Sequence, residues 1–217
     1  MRIRRIVDLT HVVSPDIQVY PGDPAPVFTT HASVETDGFD LTHIHMGSQT
    51  GTHIDAPRHV RRDGAPVDLL PPDGLVARGV VFDVREYVDD ASFVTPDMLR
   101  HEHVPAPGDI AIVHTGWARY FGSDRYFDHP VLSVDACRWL LERGVRVVGI
   151  DAPSIDATGD ETLAAHHILA EEGAVICENL RNLEDVDFPD PLISLLPIPF
   201  AGLDGSPVRA VAIDIET

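Results

Sequence analysis

Two segments of the sequence set the fold. SVDACRWLLERG runs into VRVVGID, and DETLAAHHILAEEG runs into AVICENL. In each, a stretch with helical periodicity ends at a glycine, Gly144 or Gly173, and a short apolar strand follows. Ser133 is placed to cap the first helix, and Trp139 and Leu140 share its apolar face. A helix that feeds a buried strand, twice over, requires a sheet with helices packed against it. RIVDLTHVV, PVFTTHASV, FDLTHIHMGS, GLVARGVVFDVRE and DIAIVHTGW read as further strands. VTPDMLRHE reads as a short helix, with Thr95 as N-cap and Pro96 at its first position. The tail, ISLLPIPFAGLDGSPVRAVAID, reads as two strands around a turn at Asp204-Gly205. The expectation is an α/β fold: a single domain over residues 1–217, with a mixed sheet, curved or closed and barrel-like, flanked by helices. No GxGxxG follows a strand and no Walker A sequence occurs, which disfavours a Rossmann architecture. Nothing resembles a GxSxG elbow, so a serine hydrolase has little support.

At 217 residues and 44% hydrophobic content the chain can bury a core. Its 18 prolines and 16 glycines are spread throughout, as expected for many short elements joined by ordered loops. Sixteen Lys+Arg against 35 Asp+Glu give a formal charge of −19. Such a surface repels phosphate backbones, so no nucleic-acid partner is expected. Cys137 and Cys177 sit in apolar runs without metal or redox spacing, and two buried free thiols are the better reading than one disulfide. The arginine-rich start, MRIRRIVDLTHVV, lacks the apolar run of a signal peptide, and no stretch is long enough to span a membrane. The expectation is a cytoplasmic protein with no membrane partner.

The chemistry concentrates in QTGTHIDAPRH, residues 49–59. If His53 and Asp55 are extended, both side chains project from one face. An imidazole and a carboxylate converging on one point suit a borderline divalent ion such as zinc or manganese. Gly51 allows a tight turn before His53, and Pro57 stiffens the turn that aims His59. By itself such a spacing is common in ordinary polar loops, and a metal needs about four ligands. HHILAEEGAVICE offers the other half, with His166 on a helix and Glu178 near the end of the following strand.

Together these segments resemble the metal-dependent cyclase family that includes bacterial kynurenine formamidases and isatin hydrolases. The family signature is His-x-Gly-Thr-His-x-Asp-x-Pro-x-His, and QTGTHIDAPRH fits every fixed position but the first, where Gln49 stands for histidine. The likeness continues through DLTHVVSPDIQVYPGDPAP, TGWARYFGSDRYF, VVGIDAPSIDA, HHILAEEGAVICENL and AGLDGSPVRAVAI. The resemblance implies a swivelling β/β/α fold and a site for one or two divalent metals, zinc or manganese. His53, Asp55, His166 and Glu178 would be the ligands, and His59 the general acid/base. His167 competes with His166 for its role. Gln49 could ligate weakly through oxygen, hydrogen-bond water or substrate outside the ligand set, or mark the loss of one metal. One strongly held ion is the expectation, and two the alternative. His43 and His45 are candidate replacements for the missing imidazole, though strand histidines without a ligand role are the better reading.

Tyr20 matches an aromatic substrate-side position of the family and could equally be a turn-packing residue. Gln49 is a second substrate-side candidate. Asp23 reads as a turn cap, Asp156 as structural, and Trp117 and Tyr120 as core or pocket wall; Asp151 flanks the same loop as Asp156. The resemblance implies a metal-dependent hydrolase of a small amide, lactam, lactone or related carbonyl compound. The alternatives are a cyclase or dehydratase of a small intermediate, or a family member that binds without catalysis. A small-molecule substrate and a homodimer or larger homo-oligomer are the expected partners.

Overall fold

The computed structural model describes residues 2–100 and 104–216. In chain order its strands are β1 Arg2–Asp8, β2 Val27–Ala32, β3 Leu41–His45, β4 His53–Asp55, β5 Val76–Asp83, β6 Phe93–Val94, β7 Ile110–His114, β8 Val131–Leu132, β9 Val147–Ile150, β10 Val175–Glu178, β11 Leu192–Ser194, β12 Gly205–Pro207 and β13 Val211–Glu216. The helices are α1 Val34–Asp37, α2 Pro96–Leu99, α3 Val134–Leu141 and α4 Ala164–Glu171.

Nine strands form one mixed sheet in the order β1-β13-β11-β5-β7-β9-β10-β4-β12. The central four, β5, β7, β9 and β10, run parallel; every other pairing in this sheet is antiparallel. Both faces of the parallel strands are buried, and alternate residues serve two cores. Ala111, Val113, Val148, Ile150 and Ile176 pack with Trp139 and Leu140 of α3 and Leu169 of α4. Ile110, Ile112, Val147, Val175 and Cys177 pack on the opposite face with Ile54, Ile193 and Ala212. Each such fully buried aliphatic side chain contributes roughly 1.5–3 kcal/mol relative to exposure. Both cysteines are buried and free.

The sheet is open, with β1 and β12 at its edges; the closed, barrel-like alternative is not what forms. Density of β-branched residues reports burial of a strand, and carries no information on whether the last strand returns to the first. Gly205 opens β12, so Asp204-Gly205 is not the turn between two tail strands; the tail holds three strands, β11, β12 and β13. Helix α4 starts later than its sequence pattern. Leu163 adopts a left-handed φ of 44° before it, and Asp160 is occupied in a turn with the Thr162 backbone nitrogen. The helix in VTPDMLRHE is confined to Pro96–Leu99, and its expected end lies outside the described residues. Strands β2 and β3 form a separate hairpin, and all five residues of β3 are exposed.

Candidate metal centre

Strand β4 lies between β10 and β12, with His53 opposite Glu178 and Asp55 opposite Ile176. Directly opposed residues of an antiparallel pair, and residues two apart, share a face. His53, Asp55 and Glu178 therefore project to the same side as Ile176, the side carrying α3 and α4. Helix α4 brings His166 over them. All four side chains are buried.

The four form a ring of alternating imidazole and carboxylate. His53 Nε2 lies 3.5 Å from Asp55 Oδ1 and 3.6 Å from Glu178 Oε2. His166 Nε2 lies 3.6 Å from Asp55 Oδ2 and 3.4 Å from Glu178 Oε1. These separations are long for hydrogen bonds. Two donor atoms about 2.1 Å from one tetrahedral ion would stand about 3.4 Å apart. Both Asp55 oxygens are buried without a hydrogen-bond partner among the described residues. A buried carboxylate with no partner is costly unless an ion occupies its neighbourhood. The donor set, two imidazoles and two carboxylates, fits a borderline divalent ion.

Surrounding groups fix each donor. His53 Nδ1 donates to the Gly51 carbonyl at 2.8 Å. Gly51, at φ 68°, could not carry a side chain without pressing on Ile17 and Val13. His166 Nδ1 donates to Asp156 Oδ2 at 2.7 Å. Because a carbonyl and an ionised carboxylate only accept, both rings carry Nδ1–H and turn Nε2 towards the ring carboxylates. Glu178 Oε1 accepts the Ile155 N–H at 2.9 Å. Asp156 also accepts the N–H groups of Ala165 and His166, capping α4 from a distant loop. Burial acts to raise the Asp156 pKa, but these hydrogen bonds prevail and the net shift is downward. Burial acts against the His166 imidazolium, yet Asp156, Asp55 and Glu178 carry its pKa well above the usual value.

His59 follows β4 on a 3₁₀ turn over Pro57–His59. Its ring lies 5.8 Å, centroid to centroid, from that of His166. Its Nδ1 meets Asp204 Oδ2 at 3.3 Å and Gln49 Nε2 at 3.0 Å. Burial acts to lower the His59 pKa; the Asp204 and Asp55 carboxylates outweigh it and the net shift is upward. The Asp204 carboxyl is held far below its ordinary range, first by His59, with Ser48 and Gln49 adding to the effect against burial.

Gln49 turns its amide nitrogen to Asp204 Oδ2, at 2.9 Å, and its Oε1 is buried without a partner among the described residues. His167 is exposed, so α4 aims His166 alone at the ring. His43 and His45 are exposed on the hairpin and join no cluster of ligand atoms among the described residues. Trp117 is core, donating Nε1–H to the Tyr126 carbonyl, and Tyr120 packs against it. Asp151 is buried beneath Thr115 and Gly116, away from the ring. Asp156 turns out to orient a histidine, beyond the structural role its sequence suggested. Asp204 and Ser48 were missed, as was Asn179, whose amide donates to the Gly51 carbonyl at 3.1 Å and accepts from the Tyr126 hydroxyl at 2.9 Å. The DGSP context of Asp204 was visible, but it reads as a turn.

The ring forms the floor of a cavity of about 470 Å³. Val19, Tyr20, Tyr126, Phe127, Pro153 and Leu163 supply apolar wall. Tyr20 OH accepts the Gly159 N–H at 3.0 Å, and Asp23 lies at the same cavity. The size and the mixture of apolar wall and convergent polar groups suit a small organic molecule.

An open mixed sheet thus gathers two imidazoles and two carboxylates, a donor set suited to a divalent metal, on the floor of a cavity. A family profile described as Putative cyclase matches residues 7–157, more than half of the chain. The chain belongs to this cyclase family. It is 33% identical over 217 aligned positions to a kynurenine formamidase of Salinibacter ruber, covering 96% of this chain and 97% of that one. Isatin hydrolase A from Labrenzia aggregata, solved bound to benzyl benzoate, superposes with a TM-score of 0.88 at 26% identity, covering 98% and 94% of the two chains. A protein of Bacillus stearothermophilus described as a predicted metal-dependent hydrolase superposes with a TM-score of 0.82 at 29% identity, covering 97% and 98%. No helix among the described residues is long and apolar enough to cross a membrane.

Proposed function

We propose that this protein hydrolyses a small amide, lactam or related carbonyl compound at the ring of His53, Asp55, His166 and Glu178. The observation that carries this reading is Asp55: both carboxylate oxygens are buried and unpartnered, each facing a different imidazole Nε2. The four side chains would hold a divalent ion, zinc or manganese. When bound, such an ion supplies Lewis acidity to a carbonyl and lowers the pKa of water. One strongly held ion per chain is the reading, with the four side chains of the ring as its ligands. Tyr20 and the aromatic wall would orient the substrate, and His59 Nε2 would take a proton from the attacking water and return it to the leaving nitrogen.

The relatives named for kynurenine formamidase and isatin hydrolase suggest aryl formamides and the lactam isatin as first substrates. The test combines metal per chain by elemental analysis with turnover of formanilide and isatin in ¹⁸O-labelled water. Expected are about one zinc or manganese and ¹⁸O in the acid product. Failure to take up either metal would sink the reading. Turnover without ¹⁸O would favour a cyclase or dehydratase.

The proposal includes self-association, at least as a homodimer. The β2–β3 hairpin exposes Val27, Phe39, Leu41 and Ile44, each about half accessible, and a lone two-stranded hairpin is marginal in water. A second copy covering it would give a dimer mass by light scattering. A cytoplasmic location is also proposed, supported by the two free cysteines.

A further inference from the structure

Three imidazoles meet at the cavity floor, and two of them have their protons fixed by an acceptor that cannot donate. At His53 the Asn179 amide stands off at 3.5 Å against 2.8 Å for the Gly51 acceptor, whereas at His59 an acceptor and a donor claim Nδ1 at similar range. Asp204 Oδ2 is 3.3 Å away and Gln49 Nε2 is 3.0 Å away. A carboxylate oxygen only accepts and an amide nitrogen only donates. The two contacts therefore require opposite tautomers: Nδ1–H for Asp204, a bare Nδ1 for Gln49. Turning the amide over is no escape, since Gln49 Oε1 would then face the Asp204 carboxylate, acceptor against acceptor.

We propose that Asp204 is a positioning residue that holds His59 as the Nδ1–H tautomer against the amide of Gln49, leaving Nε2 to move the proton. The inference rests on the reading of His59 as acid/base. Asp204 is anchored at both oxygens, with Ser48 Oγ donating to Oδ1 at 3.0 Å and Gln49 Nε2 to Oδ2 at 2.9 Å. A hydrogen bond to a charged acceptor is roughly twice as strong as a neutral one. On one side the Gln49 amide is bounded by the backbone of Gly205. A Cβ there would lie 2.8 Å from both Nε2 and Oε1. Gln49 thus has two consequences. With Asp204 present it braces the carboxylate. Without Asp204 it would donate to Nδ1 and place the proton on Nε2, where a base needs a lone pair.

The test is the tautomer itself, read by long-range ¹H–¹⁵N correlation on zinc-loaded, ¹⁵N-histidine-labelled full-length protein at alkaline pH. The His59 signals are assigned by their loss in His59→Gln. Wild type and Gln49→Ala should show Nδ1–H. Asp204→Ala should shift His59 to Nε2–H, and the Gln49→Ala/Asp204→Ala double variant should return the mixture of a free imidazole. On formanilide or isatin, Asp204→Ala should lower kcat about 10–100-fold with KM and zinc content unchanged. Asp204→Asn keeps the shape without the charge, and should also raise the Nε2–H population. Nε2–H in the wild type, or no rise in either Asp204 variant, overturns the proposal. If wild type hydrolyses neither probe, the hydrolase reading fails and the tautomer still decides this one.

Discussion

Asp156 Oδ2 lies 2.7 Å from His166 Nδ1 and 2.9 Å from the backbone nitrogen of the same residue. One carboxylate oxygen thus both ends the loop after β9 and sets the ring of a proposed ligand. The start of α4 and the aim of His166 are not separable.

Replacing Asp156 with Asn should weaken divalent-metal affinity about 10–100-fold while α4 survives, because an amide oxygen still accepts from the helix N–H groups. Asp156→Ala should cost about 1 kcal/mol more, through the lost cap. Competition against a fluorescent chelator reads the first effect and urea denaturation the second. An Asp156→Asn affinity equal to wild type would separate His166 from its orienting partner.

Metal should stabilise the fold. Zinc at one hundred times its dissociation constant adds about 2.7 kcal/mol. For a chain of this length that raises Tm by about 5–11 °C. Asp55→Asn should abolish the rise, since it removes the charge that faces both imidazoles. Thermal denaturation with zinc or with chelator measures it; an unchanged wild-type Tm would count against the ring as a metal site.

His59→Ala should lower kcat by roughly 10²–10⁴ while metal content stays at the wild-type level. Steady-state kinetics with elemental analysis on the same sample distinguishes loss of a proton carrier from loss of a ligand. Loss of metal in step with activity would place His59 among the ligands.

His11 gives a pH signature unrelated to catalysis. Its ring stacks on Phe121 at 3.7 Å, and its Nε2 is buried without a partner among the described residues. Burial, with Arg181 nearby, pushes its pKa down from 6.5 to about 4. Between those values the unfolded chain binds a proton that the folded one does not. Stability is therefore lost as pH falls from 6.5 to 4, on the order of 3 kcal/mol in full. His11→Phe keeps the stack and removes the titration. Urea melts at pH 7 and pH 4.5 should show a smaller difference for the variant; an equal difference would assign the acid sensitivity elsewhere.

Gly205→Ala should destabilise by roughly 1–3 kcal/mol. The added Cβ would stand 2.5 Å from the Ile54 carbonyl as well as against the Gln49 amide. Backbone on one side cannot yield, so the β4–β12 pairing must loosen. Denaturant melts give the stability cost, and a wild-type value would show that the strand pair can shift.

What the sequence made legible was local and periodic. Period two placed His53 and Asp55 on one face, and the helix-then-strand pattern placed His166 and Glu178 on adjacent elements. Gln49 stood out only against the signature of the resembled family, which has histidine at that position. Contacts across the chain stayed hidden. Asp204 reaches His59 over 145 residues, and no spacing rule connects them. DGSP was read as a turn because Asp-Gly commonly makes one, and here pairing with β4 prevailed over that local preference. The late start of α4 is the same lesson, since its cap comes from Asp156 rather than from the residues just before it. Sheet closure was illegible because burial of a strand says nothing of its neighbours.

His53 faces Glu178 across one rung of the β4–β10 ladder. Were β4 to slip by a single residue, its imidazole and carboxylate would point into the opposite core, where Ile54 and Cys177 now pack. His166 and Glu178 would be left facing each other with half of the ring gone. Metal retention therefore certifies that the strands have zipped correctly, and a misthreaded molecule would show itself as one that zinc cannot rescue. The same logic makes an insertion or deletion within the three residues of β4 fatal to the ring.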